Sequence, residues 1–359
     1  KNSVAVLQRM GLCHPIKYSR GGNNMKRRIK RIGALGACCL LLAGLAGCSP
    51  SPAAVTVDGS QADAAELAFY LEYNRLNLAA EQGDETGEYD EETTQMVKQQ
   101  ALEQIVTAEI VLAKCKEFDL KLTDDEKDQL KENKKELIES HGGKAGYLAY
   151  LNENAMADRV YDKFQTNALY YDKLYDYLVG PGGEYDFTDV ELRQFFADHY
   201  AQVQYIRFSM TDMEGDPLDQ AEGRRAMERA QQVMAQAQAP GADFTQLVES
   251  YNDDPYMSDN PGGIIVAASQ CAASPQFAEL FQLSENQIGG VYTGIDGYYV
   301  VKRLPVSAAY FDENQDSILQ EARDGKFNQL LDQWKAEAEV KTTGVFDKMT
   351  LSNLWDYVK

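Results

Sequence analysis

The 359 residues are 44% apolar, 10% aromatic and 25% charged, with three histidines and six cysteines. That composition excludes a disordered, collagenous or disulfide-stapled chain, and the length allows two or three domains. The formal charge of -21 is uneven: residues 1–47 hold nine Lys/Arg and no Asp/Glu, leaving 26 basic and 56 acidic residues after them. So acidic a body repels nucleic acid and anionic lipid headgroups, and it suits basic clients or a plain solvated surface.

Residues 1–24 read as an extension of the gene model ahead of the true start at Met25. Met25-Lys-Arg-Arg-Ile-Lys-Arg31 is a positive n-region, and Ile32 to Gly47 is an uncharged apolar run too short to span a membrane comfortably. It ends in Leu45-Ala-Gly-Cys48. Residues 25–47 therefore read as a signal peptide, and the last four residues resemble the bacterial lipoprotein box. That resemblance implies cleavage before Cys48 and a lipid on its thiol, with residues 48–54 as lipidated cysteine and tether. Cys115 and Cys271 then remain, far apart in sequence, as two buried thiols or a disulfide.

Val55-Thr-Val-Asp-Gly59 predicts a small strand and turn. Helices are predicted over Ala64 to Ala80, with Leu67, Tyr70, Leu71, Asn74 and Leu78 on one stripe, and over Glu92 to Phe118. Thr123-Asp-Asp-Glu126 has the form of a capping box and opens a helix reaching Ser140. Two more follow Gly142-Gly143, near Lys144 to Asn152 and Ala155 to Val179, the second with a crowded aromatic seam suited to helix packing or to a homodimer. Gly180-Pro-Gly-Gly183 is a linker. Thr188-Asp-Val-Glu191 is a second capping box, with its helix ending near Tyr200. Val203 to Met210 predicts a strand, Ala221 to Ala239 and Ala242 to Tyr251 two helices, and Pro261-Gly-Gly263 a turn. Pro275 to Phe281 is a short helix, followed by strands at Asn286 to Tyr292 and Gly297 to Lys302. A long helix, Asp312 to Ala338, and a short docked helix in Val340 to Lys359 close the chain.

The order of pieces from Asp243 to Lys302 resembles the parvulin-type peptidyl-prolyl isomerase family. The matching residues are Asp243-Phe244, Leu247, Tyr251, Asp253, Gly262-Gly263, Phe281, Leu283, Gln287-Ile288, Val291, Thr293 and Gly297-Tyr298 with Lys302. The flanking helices resemble the chaperone frame of secreted foldases of the PrsA and SurA kind. The resemblance implies an α+β chain: a parvulin-like domain at 201–305, a small antiparallel sheet with surrounding helices, inserted in a mostly α-helical chaperone domain. That domain would hold residues 55–200, with 306–359 packing back on it. It further implies an extracytoplasmic foldase on the outer face of the bacterial cytoplasmic membrane. Such a protein would bind unfolded secreted polypeptides and exchange cis and trans X-Pro bonds without cofactor or metal.

The departures fall in the cleft. The family's two usual histidines map onto Arg207, if Tyr-Ile-Arg-Phe matches "A-S-H-I", and onto Tyr299 in "GYH". Rotation about an X-Pro bond needs no covalent chemistry, only an apolar seat and a group that favours the twisted carbonyl. Arg207, Tyr299, Asp253 and Phe281 are the catalytic candidates, and Phe277, Phe281, Tyr205 and Tyr298 the substrate-contacting ones. Without the histidines two other readings stay open, a peptide-binding holdase and a scaffolding envelope lipoprotein. His141 and His199 end helices, where imidazolium suits the dipole. Asp253, Asp254 and Asp259 lack the spacing of a calcium loop and read as a solvated turn.

Overall fold

The computed structural model describes residues 51–82, 89–212, 216–271, 275–294 and 296–358; the side chains of 81–82, 258, 270–271 and 275–278 lie outside the description. The expected signal segment, the expected lipidation site Cys48 and any pairing of Cys271 fall outside it too. The chain divides into two compact units, one of residues up to 178 with 327–359, the other of residues 179–326 between them. The expected insertion of one α+β unit into a discontinuous helical one is thus observed.

The discontinuous unit begins with β1 (Ala53–Val57) and β2 (Ser60–Asp63), antiparallel across Asp58-Gly59, whose φ values of 49° and 83° close the turn. Five helices follow: α1 (Ala64–Gln82), α2 (Glu91–Glu117), α3 (Asp124–Ser140), α4 (Lys144–Glu153) and α5 (Asp158–Val179). Helix α1 is buried on two faces. Leu67, Ala68 and Leu71 pack with Val97, Ala101 and Ile105 of α2, whereas Ala65 and Phe69 pack with Tyr147, Leu151 and Tyr161. A helix apolar on so much of its circumference becomes the centre of its unit. Its first turn carries Glu66, which with Glu109 accepts from Lys163 Nζ at 2.6 and 2.7 Å. The C-terminal stretch, expected to be helical only, starts with β7 (Val340–Thr342), which extends the sheet along β1. Thr123 and Glu126 form the expected capping box on α3.

The second unit is an antiparallel sheet in the order β4-β3-β6-β5: β3 (Tyr200–Ser209), β4 (Ile264–Ala267), β5 (Ile288–Thr293) and β6 (Gly297–Leu304). Helices α7 (Gln220–Ala237) and α8 (Phe244–Tyr251) cover one face, where Ala226, Ala230, Val233, Phe244 and Val248 pack on Ile206, Phe208 and Val300. Strand β4, two short helices, α9 (Pro255–Asp259) and α10 (Ala268–Cys271), and the 3-10 form of Pro275–Gln282 differ from the sequence expectation. Four-residue strands carry too few periods to register as alternation. Gly263 makes β4 possible: its φ is +81°, and a Cβ there would stand 2.7 Å from the carbonyl oxygen of Val203.

This unit is wider than the expected 201–305. Helix α6 (Asp189–His199), opened by the Thr188–Glu191 capping box, places Leu192 and Phe196 against Phe311, Ile318 and Ala322 of α11 (Ala308–Glu337), with Ala267 of β4. Residues 306–326 therefore pack on the sheet unit, not back on the helical frame. The cause is this apolar cluster, built from residues more than a hundred positions apart.

Candidate active site

The face of the sheet away from α7 and α8 carries the candidate residues. Successive side chains of a strand alternate between faces, so Tyr205 and Arg207 of β3 share this side with Tyr299 of β6, which lies directly opposite Arg207. The rings of Tyr205 and Tyr299 meet edge to face at 5.5 Å between centroids. Phe281 packs at the border of the same face with Leu280, Leu283 and Tyr292. Arg303 holds this border by donating to the carbonyls of Phe281 and Leu283 at 2.7 and 2.8 Å. Tyr298 lies on the opposite face, packed with the helices beside Phe208, and so is removed from the substrate-contacting set by strand alternation. Phe277 belongs to the residues whose side chains are not described.

Two carboxylates organise the polar part. Asp296, in the turn before β6, forms an ion pair with the Arg207 guanidinium and accepts from the Tyr299 hydroxyl at 2.6 Å. Desolvation alone would raise the Asp296 carboxyl; the bonds from Tyr299 and Arg207 outweigh it and hold it below its ordinary value. Burial, with Asp296 adding to it, pushes the Tyr299 hydroxyl far up. Asp254 accepts from the Tyr205 hydroxyl at 2.6 Å, and burial together with that bond raises Tyr205 likewise. Both phenols stay protonated at any physiological pH. Their protons point at carboxylates, while Arg207 Nε is buried without a hydrogen-bond partner among the described residues.

The loop Asn252-Asp-Asp254 positions this set. β4 pairs only with residues 200–203 of β3, so the edge of β3 beyond them needs other partners. Asn252 Oδ1 accepts from the Arg207 amide at 2.7 Å, the Asp253 amide donates to the Arg207 carbonyl at 2.9 Å, and Asp253 Oδ2 accepts from the Ser209 amide at 3.1 Å. Asp253 is thus an edge cap with an exposed side chain, and Asp254 is the acid that reaches the aromatic face. The spacing in the sequence held this signal, because the acid three positions after Tyr251 is Asp254. Asp296 had no comparable signal: it lies in a turn, and the pairing of β6 with β3 brings it to Arg207.

Neither expected helix-end histidine joins the face. His141 and His199 bond the carbonyls of Leu137 and Phe195 through a ring nitrogen at 2.9 and 3.0 Å. Among the described residues there is no cluster of His, Cys, Asp or Glu that could hold a metal ion, and no helix long and apolar enough to cross a membrane. Burial lifts the Cys115 thiol to about 11, far from a reactive thiolate. The arrangement brings three aromatic rings, an Arg–Asp ion pair and two carboxylate-bonded tyrosine hydroxyls to one face.

Residues 182–305 match the family model of the PPIC-type PPIASE domain. Among solved structures, the chain is similar to a peptidylprolyl isomerase (PrsA) from Bacillus anthracis, with 15% identity, 66% of this chain and 95% of that one covered, and a TM-score of 0.35. It is also similar to the foldase protein PrsA from Streptococcus pneumoniae, at 21% identity, 71% and 92% coverage and a TM-score of 0.28. A SurA-like chaperone structure from Campylobacter jejuni aligns at 12% identity, 82% and 99% coverage and a TM-score of 0.28. No curated protein matches the chain.

Proposed function

From the premise that residues 182–305 are a PPIC-type peptidyl-prolyl isomerase domain, we propose that the protein is a lipid-anchored, extracytoplasmic foldase. It binds unfolded secreted polypeptides and speeds cis/trans exchange at X-Pro bonds. The observation that carries this reading is the meeting of Tyr205, Arg207, Tyr299 and Phe281 on one open face of that domain. Proline seats against the rings of Tyr205, Tyr299 and Phe281, where the apolar setting weakens amide conjugation. Arg207 and the tyrosine hydroxyls face the prolyl carbonyl as it turns out of plane.

The first-strand histidine of the family then corresponds best to Tyr205. Val203-Gln-Tyr-Ile206 matches "A-S-H-I" two residues earlier than the Arg207 alignment, and it pairs two tyrosines where the family has two histidines. The test is exchange spectroscopy on a series of X-Pro peptides. The protein should accelerate exchange, and R207A and Y299F should each lose about ten-fold or more of it. Acceleration that survives both variants would remove this face from the mechanism.

One observation favours a second reading, a holdase whose isomerase domain only binds peptide. Both hydroxyl protons are already committed to Asp254 and Asp296. No acceleration on any peptide, with slowed aggregation of an unfolded client, would select it.

A further inference from the structure

The discontinuous unit holds a cavity of about 720 Å3 between α1, α2 and α5, bordered by Lys335 of α11. That is within the range of about 300–1,000 Å3 typical of ligand pockets. It is remote in sequence from the isomerase face, and its lining is of a different kind. Tyr70, Tyr73, Phe164 and Tyr171 supply aromatic rings, and Glu103 and Asp172 supply carboxylates.

Two lining carboxamides are unsatisfied. Asn74 and Gln104 bond each other reciprocally at 2.9 and 3.2 Å. Asn77 and Asn167 each keep a buried side-chain oxygen with no hydrogen-bond partner among the described residues. An unpaired buried acceptor is costly, and these ends turn easily about χ2. The basic group at the border is already used, since Lys335 pairs with Asp332 at 2.7 Å. So is Lys173, next to Asp172, which pairs with Glu126 at 2.9 Å. Partial desolvation at the exposed rim of the cavity, with Asp176 beside it, holds the Asp172 carboxyl above its ordinary value.

Among the described residues Asn77 and Asn167 have an acceptor without a donor and Glu103 and Asp172 form no ion pair, and with several ring faces these define what fits. We propose that this cavity binds a guanidinium group, stacked on the tyrosine rings and bonded by Glu103, Asp172 and the two free carboxamides. A guanidinium is planar, carries five donors and no acceptor, and stacks on aromatic faces. An ammonium, more strongly hydrated and unable to stack, fits less well. The group can come from an arginine side chain in a polypeptide or from a free guanidinium compound.

The test is calorimetric titration of the protein with three probes: a short peptide with one arginine flanked by glycines, the same peptide with citrulline, and argininamide. The arginine peptide should bind, and the citrulline peptide, which keeps the shape and loses the charge, should bind about ten-fold or more weaker. The E103Q/D172N variant should show the same loss with an unchanged far-UV circular dichroism spectrum, since both substitutions are at exposed positions. Argininamide binding as tightly as the peptide would assign the site to free guanidinium compounds, and tighter peptide binding would assign it to polypeptide. Equal affinity for citrulline, full affinity in E103Q/D172N, or no heat with any probe would overturn the proposal. It does not rest on the isomerase reading: E103Q/D172N should leave proline exchange unchanged, and R207A should leave arginine binding unchanged.

Discussion

Tyr205 and Asp254 form the tightest testable pair at the residue scale. Asp254 hydrogen-bonds the face through the Tyr205 hydroxyl, at 2.6 Å, so its main contribution to proline exchange should pass through that ring. Y205F and D254A are each expected to change the exchange rate several-fold, and the double variant should be no worse than the larger single effect, as for residues acting as one unit. Losses that add on a logarithmic scale would show that Asp254 meets the peptide independently. Asp253 is expected to differ: its carboxylate caps the Ser209 amide at the edge of β3. The family match took Asp253 as the candidate, although the acid three positions after Tyr251 is Asp254. Which of two adjacent carboxylates turns inward depends on which backbone amides need capping, and that is decided by where β4 stops pairing.

Helix starts were legible at the scale of elements because they are local. The boxes at Thr123 and Thr188 have their reciprocal bonds, with Glu126 and Glu191 amides donating to the threonine hydroxyls at 3.2 and 3.3 Å. Thr188→Ala should cost about 1 kcal/mol, read as a lowered urea midpoint of the sheet unit; no shift would mean that the cap is idle. The junction of α1, α2 and α5 is not local. Lys163 lies between Glu66 and Glu109, whose side chains are 11% and 5% exposed. Lys163→Met leaves two buried carboxylates facing each other and should destabilise the unit by about 3 kcal/mol at pH 7. Burial, more than any neighbour, raises the Glu66 carboxyl above its ordinary value. A raised acid binds its proton more readily folded than unfolded, so the folded state gains from this group as pH falls through the raised value. The deficit of Lys163→Met in thermal melts should therefore shrink on acidification. A deficit that grows toward low pH would place the strain elsewhere.

At the scale of the whole molecule, charge is divided between residues 1–47, which are basic, and an acidic remainder. A chain with 56 acidic residues against 35 basic ones has little attraction for anionic headgroups. Membrane residence in the proposed foldase thus falls to acyl chains on Cys48, at about 0.8 kcal/mol per buried CH2. Cys48→Ala should move the protein from the membrane fraction to the soluble one in cell fractionation. Retention at the membrane would mean that something other than the lipid holds it.

The sequence by itself determined the short-range properties of this protein. Capping boxes, helical stripes, the Gly262-Gly263 turn and the order of motifs from Asp243 to Lys302 all lie within a few turns of chain, where one residue's chemistry acts on its neighbours. That was enough for the α+β class and for the resemblance that the family model matches over residues 182–305. Tertiary structure decided what depends on distant residues meeting: the bond from Asp254 to Tyr205, the pairing of Asp296 with Arg207, the loss of Tyr298 to the helix side and the capture of residues 306–326 by Leu192 and Phe196. The physical reason is that burial and hydrogen-bond satisfaction are settled over the whole unit. A carboxylate or a helix goes where its unpaired atoms and apolar face find partners, and those partners lie tens to hundreds of residues away.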